Sequence, residues 1–249
     1  MSAARALVVT HSPDEPPGTL DTWLPAAGLE LDLVAPWDGD VLPERVTEHA
    51  ALVVMGGPQQ AYDDRSAPWL RATKDLLRAA VHDDVPVLGI CLGAQLLAEA
   101  MGGRVELGDS GIEAGARLVA KRDAAWDDAL FRDVPFTPTV FQWHEDAIVT
   151  LPPGALLLAG SPKYAHQAFR VGARAYGLQF HIEPRAETLR HWATDHSTRV
   201  VEAGLDPQAL AERAVLELDE VEACWRPVVD RFADLALDRT PAPLPVLET

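Results

Sequence analysis

Up to Ile90 the apolar residues come in short, nearly unbroken runs. Ala6–Thr10 (ALVVT), Leu31–Ala35 (LDLVA), Ala51–Met55 (ALVVM) and Val85–Ile90 (VPVLGI) are rich in Val and Leu. Without regular polar alternation, such runs read as strands covered on both faces. Between the last two lies Pro68–Asp83, with Leu70, Leu76, Leu77, Ala80 and Val81 at helical spacing and Pro68 near its start, where a missing N–H costs nothing. Strands alternating with helices predict an α/β fold around a doubly wound, parallel sheet.

The second half is richer in strands: ARLVA, TVFQW, ALLLAG, HQAFRVG and RAYGLQF, with Pro and Gly between them. Helix returns from Pro184 to Ala203, with a proline in its first turn. Residues 205–236 read as one or two more helices, with Leu210, Val215, Leu218, Val221 and Val228 facing inward. The proline-rich TPAPLPVLET end is expected to fray. The pattern divides the chain into a catalytic domain over 1–204 and a helical C-terminal extension over 205–249.

Composition narrows the function. The 249 residues carry 38 acidic and 21 basic side chains, a net charge of −17, which repels phosphate backbones and anionic membranes and argues against nucleic-acid or membrane binding. Two cysteines make no disulfide framework, and the N-terminal residues form no signal-like apolar run, so a cytoplasmic protein is expected.

The strongest local signal is VLGICLGAQLLAEAMGG. A buried strand runs into Cys91 and a helix follows, with Gly89 and Gly93 two positions to either side. A free cysteine between strand and helix can be mere packing. The paired glycines favour a nucleophile on a sharp strand-to-helix turn, which needs small neighbours. There the helix N-terminus favours thiolate, and the N–H of Leu92 faces a developing oxyanion. Cys224, in EVEACWRPVV, has no such setting.

In YGLQFHIEP a strand over Tyr176–Phe180 leads into His181, Glu183 and Pro184. Side chains two apart on extended backbone point the same way. Glu183 can therefore orient His181, which can take a proton from Cys91. An isolated His-x-Glu is common on surfaces; its place after a strand, together with the cysteine turn, makes His181 the candidate base. Neither Cys91 nor His181 has a C-x-x-C or H-x-x-x-H companion, so no metal site is expected. Gly56-Gly57-Pro58 reads as a tight turn at the C-terminal end of a strand, the ligand edge of an open α/β sheet.

GICLGAQ and QFHIEP, preceded by VVMGGPQQAYDD, resemble the class I (triad) glutamine amidotransferases over about residues 5–200, in particular stand-alone proteins similar to the glutaminase domain of GMP synthase. The resemblance implies a flavodoxin-like open, mostly parallel sheet with helices on both faces. It also implies Cys91 as nucleophile, His181 as base and Glu183 as the acid that orients it. Gly57, beside Gly56, falls where the family supplies a second oxyanion N–H, and Gln95 where a glutamine helps hold the substrate. VFQWHEDAIVTLPPGA resembles a pocket-lining segment that usually carries His-Gly-Asp; here it is His144-Glu145-Asp146. Glu145 in place of that glycine either points outward or adds a negative charge suited to an amine-bearing ligand.

The implied reaction is hydrolysis of the glutamine side-chain amide through a cysteine thioester, without a cofactor. No P-loop or other nucleotide-binding signature is present, so an ammonia acceptor is expected on a separate synthetase subunit. A stand-alone γ-glutamyl peptidase or hydrolase uses the same triad, and a catalytically silent binding domain is the third reading. A homodimer is compatible with the sequence.

Overall fold

The computed structural model describes residues 3–239. The elements run β1 (Ala4–Val9), α1 (Leu20–Ala26), β2 (Leu29–Val34), β3 (Ala51–Val54), α2 (Trp69–His82), β4 (Val87–Ile90), α3 (Leu92–Ala100), β5 (Arg104–Leu107), β6 (Glu113–Leu118) and β7 (Ala120–Lys121). They continue with β8 (Thr139–His144), β9 (Asp146–Thr150), β10 (Leu156–Gly160), β11 (Ala168–Val171), β12 (Ala175–Leu178), α4 (Ala186–Asp195), α5 (Thr198–Glu202), α6 (Pro207–Val215) and α7 (Leu218–Ala236).

One eight-stranded sheet has the order β2-β1-β3-β4-β12-β11-β10-β7. The first five strands are mutually parallel and the last three join antiparallel. Two antiparallel ribbons, β5-β9 and β6-β8, stand beside it. Alternate residues of the central strands feed opposite cores, as the period of two requires. Ala6 and Val8 pack with α1, α4 and α7, whereas Leu7 and Val9 pack with α2 and α3. The open, mostly parallel, flavodoxin-like sheet with helices on both faces is therefore the observed fold.

The expected strands and the helix over 68–83 are present with shifted ends. Three elements escape the sequence pattern: α1, β5 and β9. The helix expected over 184–203 is two helices, and Pro184 lies ahead of α4, which begins after Arg185 in extended backbone. Leu210, Val215, Leu218, Val221 and Val228 all pack inward, α7 against the main core through buried Val221, Trp225, Val228 and Phe232. The Trp225 indole donates to the Thr139 carbonyl at 2.9 Å. The residue 240–249 tail lies outside the described residues. Among the described residues no helix is long and apolar enough to cross a membrane.

Candidate active site

Cys91 sits between β4 and α3 with φ +50° and ψ −107°, a strained conformation that costs about 1–3 kcal/mol. Its N–H donates to the Leu178 carbonyl of β12 at 2.7 Å, so the turn is locked to the neighbouring strand. The flanking glycines are obligatory. A Cβ on Gly89 would come within 2.6 Å of the Gly93 carbonyl oxygen, and one on Gly93 would overlap the Val54 carbonyl of β3. The strained turn is held because strand, helix and the next strand leave no room for another path.

The segment carrying His181 leaves the main sheet. Strand β12 ends at Leu178, two residues earlier than the apolar pattern suggests, because the chain changes partners there. Gln179 N–H donates to the Gln167 carbonyl, and His181 then exchanges both backbone hydrogen bonds with Phe141 of β8. His181 Nδ1 lies 2.7 Å from Glu183 Oε1, and Glu183 Oε2 accepts from the Ile182 N–H at 2.9 Å. Both side chains are almost wholly buried. Trp192 of α4 packs on the imidazole with ring centroids 4.7 Å apart.

Burial pushes the Cys91 thiol up, and the neighbouring His181 works against it. His181 is the group that opposes the burial of the thiol. Burial also works to lower His181, but the Glu183 carboxylate and the Cys91 sulfur outweigh it and hold the imidazole well above its usual range. The arrangement can relay a proton from sulfur to a histidine whose tautomer is fixed by a carboxylate.

A cavity of about 710 Å³ opens over Cys91, with Gly57, Gln95 and the 144–146 segment in its wall. Gly57 faces the Leu92 side chain and Gly56 faces His181, so the two turns that carry the candidate oxyanion N–H groups adjoin. The Gln95 amide nitrogen donates to the Asp146 carbonyl at 3.2 Å and to Gln179 Oε1 at 3.3 Å. His144 braces the same segment, with Nδ1 2.9 Å from the Asp146 carbonyl and Nε2 3.4 Å from Glu113. The Glu145 carboxylate turns to Arg199 at 3.2 Å, so its charge is compensated at the cavity rim. Tyr62 donates to Asp146 at 3.3 Å, and burial raises that carboxyl.

The loop after β1 carries further polar groups that no motif announces. His11, Asp14 and Glu15 stand on it at the same strand edge as Cys91. The His11 ring is buried beside Gly57, finds no partner for either nitrogen among the described residues, and is driven down to about 3 by burial. Asp14 lies 2.9 Å from His191 and 3.4 Å from His196. These three place potential metal-ligand atoms within 4.8 Å of one another, and His191 also pairs with Asp195 at 2.7 Å. The signal available was the turn-rich run from Ser12 to Gly18, with three prolines, soon after a strand, at the edge where α/β sheets bind ligands.

Comparisons with known proteins bear on the family and the fold. The model of the family described as glutamine amidotransferase class-I matches residues 26–195. The glutamine amidotransferase-like protein YfeJ of Salmonella typhimurium is 31% identical over 188 residues, 74% of this chain and 78% of that protein. GMP synthase [glutamine-hydrolyzing] of Porphyromonas gingivalis is 34% identical over 143 residues, which span 57% of this chain but only 26% of the synthase. The crystal structure of a glutamine amidotransferase from Thermotoga maritima superposes with a TM-score of 0.84 at 31% identity, covering 94% of this chain and all of the other. With the family model matching well over half its length and the fold shared over 94% of it, the chain belongs to the class I glutamine amidotransferases.

Proposed function

We propose that this site is a cysteine-dependent amidohydrolase that releases ammonia from the side-chain amide of glutamine. The observation that carries the reading is the 2.7 Å contact between His181 Nδ1 and Glu183 Oε1 behind the strained Cys91 turn. The thiol proton passes to His181 Nε2 as Sγ bonds to the amide carbon, and the oxyanion is held by the N–H groups of Gly57 and Leu92. The C–N bond then breaks, His181 returns the proton to nitrogen, and ammonia leaves a γ-glutamyl thioester. Water hydrolyses the thioester with His181 as base. No cofactor enters these steps. The acceptor of the ammonia belongs to a separate synthetase subunit in the cytoplasm.

A second reading has its own support. Pockets of roughly 300–1,000 Å³ hold drug-sized ligands, so the cavity of about 710 Å³ has space for a substituent on the amide nitrogen. A γ-glutamyl peptide or amine hydrolase would use the same triad and the extra room.

The test is release of ammonia or amine and glutamate from glutamine and from γ-glutamyl peptides, comparing the parent with Cys91→Ala and His181→Asn. Turnover by the parent and its loss in both variants is the expected result. Full turnover by Cys91→Ala would refute the reading. Preference for peptides over glutamine would select the hydrolase.

A further inference from the structure

Glu15 is half-buried as a residue, yet its Oε2 is sealed from solvent and has no hydrogen-bond partner among the described residues. Leaving a buried carboxylate oxygen unpaired costs more than an ordinary hydrogen bond returns. The Glu15 side chain is part of the cavity wall together with Cys91. It lies over Gly56, in the space a Cβ there would fill, and the His181 Cε1 edge faces that same space.

The loop is built to keep it there. Thr19 N–H donates to the Glu183 carbonyl at 2.8 Å on one side of Glu15, and the Trp192 indole donates to the Asp14 carbonyl at 3.2 Å on the other. The two elements that position the candidate base thus also position Glu15.

The side of the reaction follows from the geometry. His181 Nδ1 is taken by Glu183, which leaves Nε2 for the sulfur and the departing nitrogen. The carbonyl oxygen of a substrate bonded to Cys91 goes to Gly57 and Leu92, so its nitrogen lies toward His181, where Glu15 waits. We propose that Glu15 is a further catalytic residue, whose carboxylate accepts an N–H hydrogen bond from the nitrogen of the scissile amide.

This inference rests on the thiol-amidase reading above. Glu15 gains and loses no bond in the acylation step: the proton still travels from sulfur to His181 to nitrogen. Its work is to turn the nitrogen lone pair toward the imidazole and hold it there as the C–N bond lengthens. Primary amides and N-substituted γ-glutamyl amides both carry the required N–H. An ester does not.

The charged and titratable groups facing Glu15 are His181, Glu183, Asp14 and Cys91. Burial raises its carboxyl, opposed by His181 and assisted by Glu183 and Asp14, up to about 7.

The test compares kcat/KM for L-glutamine and for γ-glutamyl methyl ester in the parent, Glu15→Gln and Glu15→Ala. The expected result is a loss of about ten- to a hundredfold on the amide in Glu15→Ala, with the ester within about threefold of the parent. Glu15→Gln, of nearly the same volume, is expected to fall between them. Equal losses on amide and ester in both variants would show that Glu15 only supports the fold and would overturn the proposal. So would an unchanged amide rate. If the parent hydrolyses neither compound, or Cys91→Ala hydrolyses both, the thiol-amidase reading itself fails and the role of Glu15 fails with it.

Discussion

The backbone carbonyl of Glu183 accepts two hydrogen bonds from Thr19, from its N–H at 2.8 Å and its hydroxyl at 3.3 Å. The acid behind the candidate base is thereby tied to the loop that follows the first strand. Gly18 makes the approach possible: it has φ +58°, and any Cβ would overlap that carbonyl. Gly18→Ala is expected to cost about 2 kcal/mol or more, from left-handed strain and overlap together. Thermal unfolding measures it, and amide turnover should fall as the loop is displaced.

Gly93→Ala should be more damaging, because its Cβ would overlap the Val54 carbonyl inside the central sheet. Strand backbone cannot retreat as a side-chain tip can. The expected loss is about 3 kcal/mol, read from denaturant unfolding, and any folded fraction should show Cys91 alkylation rates altered from the parent.

Glu183→Gln removes the charge that holds the His181 imidazole well above its usual range. The imidazolium should then lose its proton at lower pH, and the pH profile of Cys91 alkylation should move with it. Turnover is expected to drop by about a hundredfold or more, since an amide can fix the wrong tautomer.

How much of this was legible in the sequence depends on how local the signal is. The parallel strands announce themselves because both faces are covered, so their residues are apolar without interruption. Cys91 and its two glycines are legible for the same reason, since the turn is made within five residues. Glu183 beside His181 needs only extended backbone. By contrast α1 is short and contains Pro25, and β5 has one buried residue in four; neither shows a period. The packing of Trp192 on His181 depends on the turn that brings α4 back over the strand end, and the placement of Glu15 beside His181 depends on contacts across more than 160 positions; no pattern along the chain reveals either. For the Glu145 departure from the family motif the sequence leaves two readings open, an outward side chain or an added charge, and the compensating Arg199 is visible only in space.

The pairing of Glu145 with Arg199 makes a specific expectation. An exposed ion pair is worth about 0–1 kcal/mol, so Glu145→Gly should leave the melting temperature nearly unchanged. KM for the amide should stay within about threefold of the parent. A much larger change in KM would place Glu145 on the substrate instead.

His11 gives a pH dependence of stability. Its folded value is about 3 against 6.5 for a free histidine, so between those values the unfolded chain binds a proton that the folded chain refuses. Stability contributed by the neutral ring is present above pH 6.5 and is lost as pH falls toward 3. His11→Leu should therefore gain in melting temperature relative to the parent at pH 5 compared with pH 8. A constant difference across that range would contradict it.

The crossing of residues 178–181 from the main sheet to β8 places the candidate nucleophile and base on separately supported pieces of the protein. Cys91 is fastened to β12, while His181 is fastened to the β6-β8 ribbon, which is moored by a buried chain from Gln142 through Gln167 to Glu113 and Ser161. The distance between sulfur and imidazole is thus a gauge of how that ribbon is seated on the sheet. Anything that presses on or lifts the ribbon acts on the proton relay without touching the cavity.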